Sequence, residues 1–82
     1  VIDRLPYLAE LAIEEQRYSD AIALARKAIR MDPDEYRFYY TLAQSHYQAG
    51  HLELAQTNLD KARAMAPNER ALDNLILPGE EF

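Results

Sequence analysis

Slid against itself by 34 positions, the sequence matches at Leu8/Leu42, Ala9/Ala43, Ala21/Ala55, Lys27/Lys61, Ala28/Ala62, Met31/Met65, Pro33/Pro67 and Glu35/Glu69. A fixed period of this length means that one supersecondary unit is built twice and the copies stacked. The matches are mostly small alanines, one leucine and a proline that closes each unit. That choice leaves room for close helix packing and no room for a sheet. Inside each unit the apolar residues recur at helical spacing. Leu5, Leu8, Ala9 and Ala12 form a first stripe, and Tyr39, Leu42 and Ala43 are its counterpart. Tyr18, Ala21, Ile22, Ala25, Ala28 and Ile29 form a second, matched by Leu52, Ala55, Leu59 and Ala62.

The breaks between stripes have recognisable chemistry. Gly50 reads as a left-handed residue that ends a helix, and Gln16 stands in the equivalent place of the first unit. A non-glycine residue there costs about 1 kcal/mol. Asp32-Pro33-Asp34 and Ala66-Pro67-Asn68 separate the units, because proline cannot continue a helix. Asp34 and Asn68 are expected to cap the helices that follow. A fifth helix is expected from near Asn68, with Leu72, Leu75 and Ile76 on one face and a stop at Pro78-Gly79. The expected fold is all-α: two helical hairpins and a fifth helix, in one domain. Its parts are repeat 1 at 2–35, repeat 2 at 36–69, a capping helix at 70–77 and a tail at 78–82.

Length and charge remove several function classes. The 82 residues allow one small domain with a thin core. Nine basic against fourteen acidic side chains give a net charge of −5, the wrong sign for holding a phosphate backbone. Residues 1–35 carry eight of the acids against five bases, while 36–69 are balanced at three each. No run approaches the roughly 18 apolar residues of a membrane span, and the polar faces lack the basic enrichment of a surface-bound helix. The absence of cysteine excludes disulfides and leaves the compartment undetermined. The chain opens at Val1 without a charged-then-apolar leader and reads as a processed chain or a piece of something longer.

A helix–turn–helix unit of this length closed by proline resembles the tetratricopeptide repeat, and the resemblance covers residues 2–69. Leu5 and Tyr39 stand where that family has a large aromatic residue. Leu8-Ala9 and Leu42-Ala43 fill its Leu-Gly pair, and Ala12 and His46 replace its Tyr. Ala21, Ala55, Ala28, Ala62, Pro33 and Pro67 match, while Ala25 and Leu59 replace a second aromatic. The resemblance implies a right-handed superhelix of helical hairpins whose curved inner face binds proteins. The missing bulk at Ala12 and Ala25 is expected to be filled by an upstream helix or a dimer partner. Two repeats are also fewer than the three that usually stack into a stable core.

The family's inner face is lined by the first helix of each hairpin. That register selects Arg37, Tyr40, Gln44, Tyr47 and Gln48 in the second unit. In the first it selects Asp3, Pro6, Glu10, Ile13 and Glu14, and in the capping helix Ala71 and Asn74. Tyrosine and amide side chains in the middle with acids on one flank suit a protein or peptide segment that is neutral or basic. Some members of the family clamp a peptide C-terminal carboxylate with Lys and Asn. Pro6 and Glu10 occupy those places here, and Glu10 and Glu14 would repel an anion. Tyr36, Phe38 and Tyr39 are expected in the core.

Catalysis, cofactors and metals have no support in the sequence. His46 and His51 are five apart across a turn, whereas metal-binding helices space ligands by three or four. His46 reads as a packing residue. Glu14-Glu15 and Glu80-Glu81 are adjacent and diverge in a helix. RNA-reading hairpin repeats of similar length need basic flanks, and the first unit is acidic. The leading expectation is a protein–protein interaction scaffold, part of a larger assembly or a chaperone-like factor. The alternative is a structural repeat that stacks or forms homo-oligomers through its uncovered first unit, with no peptide ligand. A third is an auxiliary domain of an enzyme whose chemistry lies elsewhere. An acidic tail ending in Phe82 could fold back as a pseudo-ligand, although chain ends of this composition are more often disordered.

Overall fold

The computed structural model describes residues 4–77, without the side chain of Pro6. Asp3, Pro6 as a lining side chain and the tail 78–82 therefore lie outside the described residues. Those residues form helices α1 (Arg4–Glu14), α2 (Tyr18–Met31), α3 (Tyr36–Gln48), α4 (Leu52–Met65) and α5 (Glu69–Asp73), with no strand among them. The pairs α1/α2 and α3/α4 are hairpins, and α3 packs on both helices of the first. This is the expected all-α stack.

Alanines set its spacing. Ala9, Ala12, Ala21, Ala25, Ala28, Ala43, Ala55 and Ala62 are all at most 1% exposed. A methyl group lets helix axes approach closely, and the larger side chains interlock around those contacts. Leu5 and Phe38 join Ala28, Leu24 and Ile29 where the hairpins meet. Leu59, Leu75 and Leu77 join Ala43, Ala55 and Ala62, with Tyr36, Tyr39, Tyr40 and Tyr47 half-buried around them. The core role expected for Tyr36, Phe38 and Tyr39 is thus observed. Ala12 and Ala25 are 0% and 1% exposed, so neither methyl group is open to the upstream helix or dimer partner expected beside it.

Both hairpins turn in the same way. In α3 the Gly50 N–H donates to Tyr47 O at 3.1 Å and His51 N–H to His46 O at 2.8 Å, the paired bonds of a Schellman motif. In α1 Gln16 donates to Ile13 O at 3.0 Å and Arg17 to Ala12 O at 2.8 Å. The pivots are left-handed: φ is 89° at Gly50 and 63° at Gln16. A Cβ in that region meets the backbone carbonyl, which glycine avoids. Gln16→Gly is therefore expected to stabilise the chain by about 0.5–1 kcal/mol. Urea unfolding measures it, and a midpoint that falls would show that the glutamine side chain contributes more than the strain removes.

Two expectations for α3 and α1 are corrected. Asp34 does not cap α3; Glu35 does, its carboxylate accepting from Arg37 N–H at 3.3 Å, because the helix starts one residue later. Asn68 caps α5 as expected, accepting from Ala71 N–H at 2.9 Å. Leu8 was placed on the buried stripe but is 42% exposed, whereas its repeat partner Leu42 is 6% exposed. The face that α3 buries against the first hairpin has no hairpin packed on its α1 counterpart among the described residues.

The capping helix expected over 70–77 runs only over Glu69–Asp73. Leu75 and Leu77 are each 2% exposed, and Leu72, expected on the same face, is 38% exposed. Two residues apart, Leu75 and Leu77 insert side by side only from extended backbone. Their flanking carbonyls are claimed by side chains: Arg63 Nε donates to Leu75 O at 3.1 Å and the Tyr40 hydroxyl to Ile76 O at 2.8 Å. These bonds satisfy the backbone where a helix would otherwise have done so.

Candidate functional site

A trough runs along α1 and α3. Its larger part is a cavity of about 670 Å³ bounded by Tyr7 and Glu10 of α1, Asp32 and Glu35 of the inter-repeat turn, Tyr36, Arg37, Phe38, Tyr40 and Thr41 of α3, and Asn74 and Leu75. A smaller part of about 220 Å³ lies between Glu10, Ile13 and Glu14 on one wall and Gln44 and Gln48 on the other. Glu10 lines both. One wall is acidic, and the other is aromatic and amide-bearing.

Helical period puts these side chains on a common surface. Glu10, Ile13 and Glu14 are three and four apart on α1, as are Arg37, Tyr40, Gln44 and Gln48 on α3. Thr41 and Ser45 are buried beside them, with hydroxyls donating to Arg37 O at 3.1 Å and Thr41 O at 2.9 Å. Among the described residues no buried side-chain nitrogen or oxygen lacks a partner. The α3 wall is thus a packed scaffold rather than an adaptable one.

Of the residues selected from the sequence, Arg37, Tyr40, Gln44, Gln48, Glu10, Ile13, Glu14 and Asn74 line the trough. Tyr47 lines neither cavity and is half-buried against the Leu59 cluster. Ala71, within α5, is buried. Sequence reasoning missed Tyr7, Asp32, Glu35, Thr41 and Leu75, and placed Tyr36 and Phe38, which also line the larger cavity, in the core alone. Asp32 and Glu35 carry a visible signal, two acids flanking the proline break, but Leu75 reaches the trough only because the chain leaves the helix before it.

The electrostatics are lopsided. Glu10, Asp32 and Glu35 face the larger cavity against one base, Arg37. That arginine donates to Glu35 at 2.8 and 2.9 Å. Its hydrogen bonds hold the Glu35 carboxyl below its usual range against the opposing effect of burial. The acid at this edge therefore stays charged.

The two histidines meet at the α3–α4 turn, with Nδ1 atoms 3.1 Å apart and ring centroids 5.3 Å apart. His46 is 3% exposed, in keeping with a packing role. A Schellman motif usually seals with an apolar contact between these two positions, and here a hydrogen bond replaces it. Among the described residues no three His, Cys, Asp or Glu side chains could hold a metal ion together. Burial, followed by the charges of His51 and Arg26, holds the His46 imidazole below its ordinary value of 6.5. The folded chain thus binds fewer protons here than the unfolded chain. This contribution to stability is complete above pH 6.5 and is lost progressively as the pH falls towards the folded value. Thermal melts between about pH 5 and 8 should show this loss, and His46→Phe should flatten it. A wild-type profile that coincides with the variant's would remove the histidine from the account.

A comparison with protein-family models matches the chain to the family described as tetratricopeptide repeat, over residues 12–76. Comparisons with curated proteins and with solved structures find no match.

Proposed function

The chain belongs to the tetratricopeptide repeat family, which generally mediates protein–protein interaction, and on that footing we propose that its trough docks a neutral or basic peptide segment of a partner protein. One observation carries the reading: two adjoining cavities that share Glu10, with Glu10 and Glu14 on one wall and Tyr40, Gln44 and Gln48 on the other. The acids attract Lys or Arg from solution and select the orientation of a docked segment. Tyr7, Tyr36 and Tyr40 offer flat apolar area for the stems and rings between its charges. The amides of Gln44 and Gln48 can both donate to and accept from the main chain of an extended ligand. Glu10, Glu14 and Asp32 oppose an acidic segment or a free carboxylate end, which a specificity site needs as much as it needs attraction.

The family's repeats are generally non-catalytic modules, and the proposed role uses no cofactor. No helix among the described residues is long and apolar enough to cross a membrane. We place the docked segment in a larger assembly, as the role of a scaffold domain at 1–82 requires.

The test is an array of synthetic peptides that share apolar anchors and differ in charge, probed with the chain and with the double variant Glu10→Lys, Glu14→Lys. Both positions are exposed, so the fold should tolerate the change. The parent should retain neutral and basic peptides. The variant should lose the basic ones by about tenfold or more in affinity and gain acidic ones. Equal retention of acidic and basic peptides by the parent, or an unchanged ranking in the variant, would remove the groove as the site.

A further inference from the structure

The 34-residue offset supplies an internal comparison for the outer face of α1. On α3, Phe38, Thr41, Leu42 and Ser45 are all at most 8% exposed, and this face packs on the first hairpin. The equivalent residues of α1 are Arg4, Tyr7, Leu8 and Leu11. There Arg4 is exposed, Tyr7 is 60% and Leu8 42% exposed, and Leu11 is half-buried. The second unit buries this surface; the first presents it with the same leucine, with Tyr7 and Leu11 in place of Thr41 and Ser45, and with Arg4 in place of Phe38. Contiguous exposed apolar side chains mark a contact surface in a way that scattered ones do not.

We propose that this face pairs with the same face of a second copy, α1 antiparallel to α1, in a two-fold dimer. Charge complementarity decides the occupant and its direction. Arg4, Leu8, Leu11 and Glu15 follow at spacings of four, three and four, and so form one stripe of the helix. Glu15 continues that helical turn, its N–H donating to Leu11 O at 3.0 Å. The stripe is basic at one end, acidic at the other and apolar between. In antiparallel pairing about its midpoint, each Leu8 meets the partner's Leu11, and each Arg4 meets the partner's Glu15. Parallel pairing would set Arg4 against Arg4 and Glu15 against Glu15. An isologous contact needs a self-complementary surface, and this stripe is one.

Head-to-tail stacking is disfavoured by the opposite end of the molecule. There Leu75 and Leu77 already close the Leu59 cluster, each at 2% exposure. Glu15 also accepts from Arg17 at 2.7 Å, with both side chains more than half exposed, so its carboxylate keeps room for a further donor. The groove acids Glu10 and Glu14 lie on a different side of α1. Tyr7 borders both surfaces, but none of the four stripe residues lines the groove, so variants of that stripe test dimerisation separately from peptide docking.

The experiment is sedimentation equilibrium of the 82-residue chain from low to high micromolar concentration, with far-UV circular dichroism as a check on folding. One helix per copy makes a small interface, so the expected dissociation constant is on the order of 10 µM. Leu8→Glu should keep its helicity and stay monomeric over the same range. Arg4→Glu and Glu15→Arg should each weaken the dimer by about tenfold, and the two together should restore it. A parent that stays monomeric, a dimer that survives Leu8→Glu, or a double charge variant no tighter than the singles would each overturn the proposal.

Discussion

Replacing Leu59 by alanine should destabilise the chain by about 3–4 kcal/mol, the largest effect expected of any single side-chain truncation here. Leu59 is fully buried. Its neighbours are Ala43, Ala55, Ala62, Leu75 and Leu77. The alanines are fixed by helix backbones and have no side chain with which to follow the missing methyls. The cavity would therefore remain largely open, which is the condition for the upper part of the leucine-to-alanine range. A chain of this length has a total stability of about 4–12 kcal/mol, so the variant would lose from about a quarter to nearly all of it. The thermal midpoint should fall by about 15 °C or more. Leu72→Ala, at a leucine 38% exposed, is the internal control and should cost under about 1 kcal/mol. Calorimetry or urea unfolding of the two variants reads the contrast. If they lose equal stability, α4 does not seat against the C-terminal segment as described.

That contrast also shows what a linear sequence can convey. Repetition made the hairpins legible: the paired alanines, the closing prolines, and Gly50 with Gln16 in its register are local signals, and the structure follows them. Even the cost at Gln16 could be inferred, because the same Schellman geometry is needed twice and only one unit has the glycine. The α3 wall was legible for the same reason, since one helical register places Arg37, Tyr40, Gln44 and Gln48 together.

Elsewhere the outcome depended on neighbours that the sequence does not display. Leu8 and Leu42 are identical in type and register, yet one is exposed and the other buried, because among the described residues only the α3 face packs on another hairpin. Tyr47 fits the groove register by count but packs, half-buried, against the Leu59 cluster, where its ring is removed from water. Leu72, Leu75 and Ile76 show helical spacing and Leu75 with Leu77 show extended spacing. The choice fell to Arg63 and Tyr40, which are distant in sequence and hold the carbonyls of the extended form. Tertiary partners override local periodicity where a segment is short, and α5 has only five residues.

The segment that eluded sequence reasoning is the one through which stability and binding should be coupled. The double variant Leu75→Ala, Leu77→Ala is expected to cost about 4 kcal/mol, less than twice a single leucine loss because the two share a cavity. Its effect on binding should exceed its effect on helicity. Leu75 and Asn74 form one end of the larger cavity, and the Ile76 carbonyl receives the Tyr40 hydroxyl that orients this ring in the groove. Without the two leucine anchors, the 74–77 segment loses its seat, and Tyr40 loses the acceptor that fixes its direction. Tyr40→Phe isolates the second effect: it keeps the ring, removes the bond and should cost about 1 kcal/mol of stability. Peptide affinity measured on variants still folded at low temperature separates two cases. A loss of about tenfold or more in the double variant, with a smaller loss in Tyr40→Phe, means that the C-terminal segment shapes the groove. Unchanged affinity in both would mean that the ligand contacts only the α1 acids and the Gln44–Gln48 end, and that the segment serves stability alone.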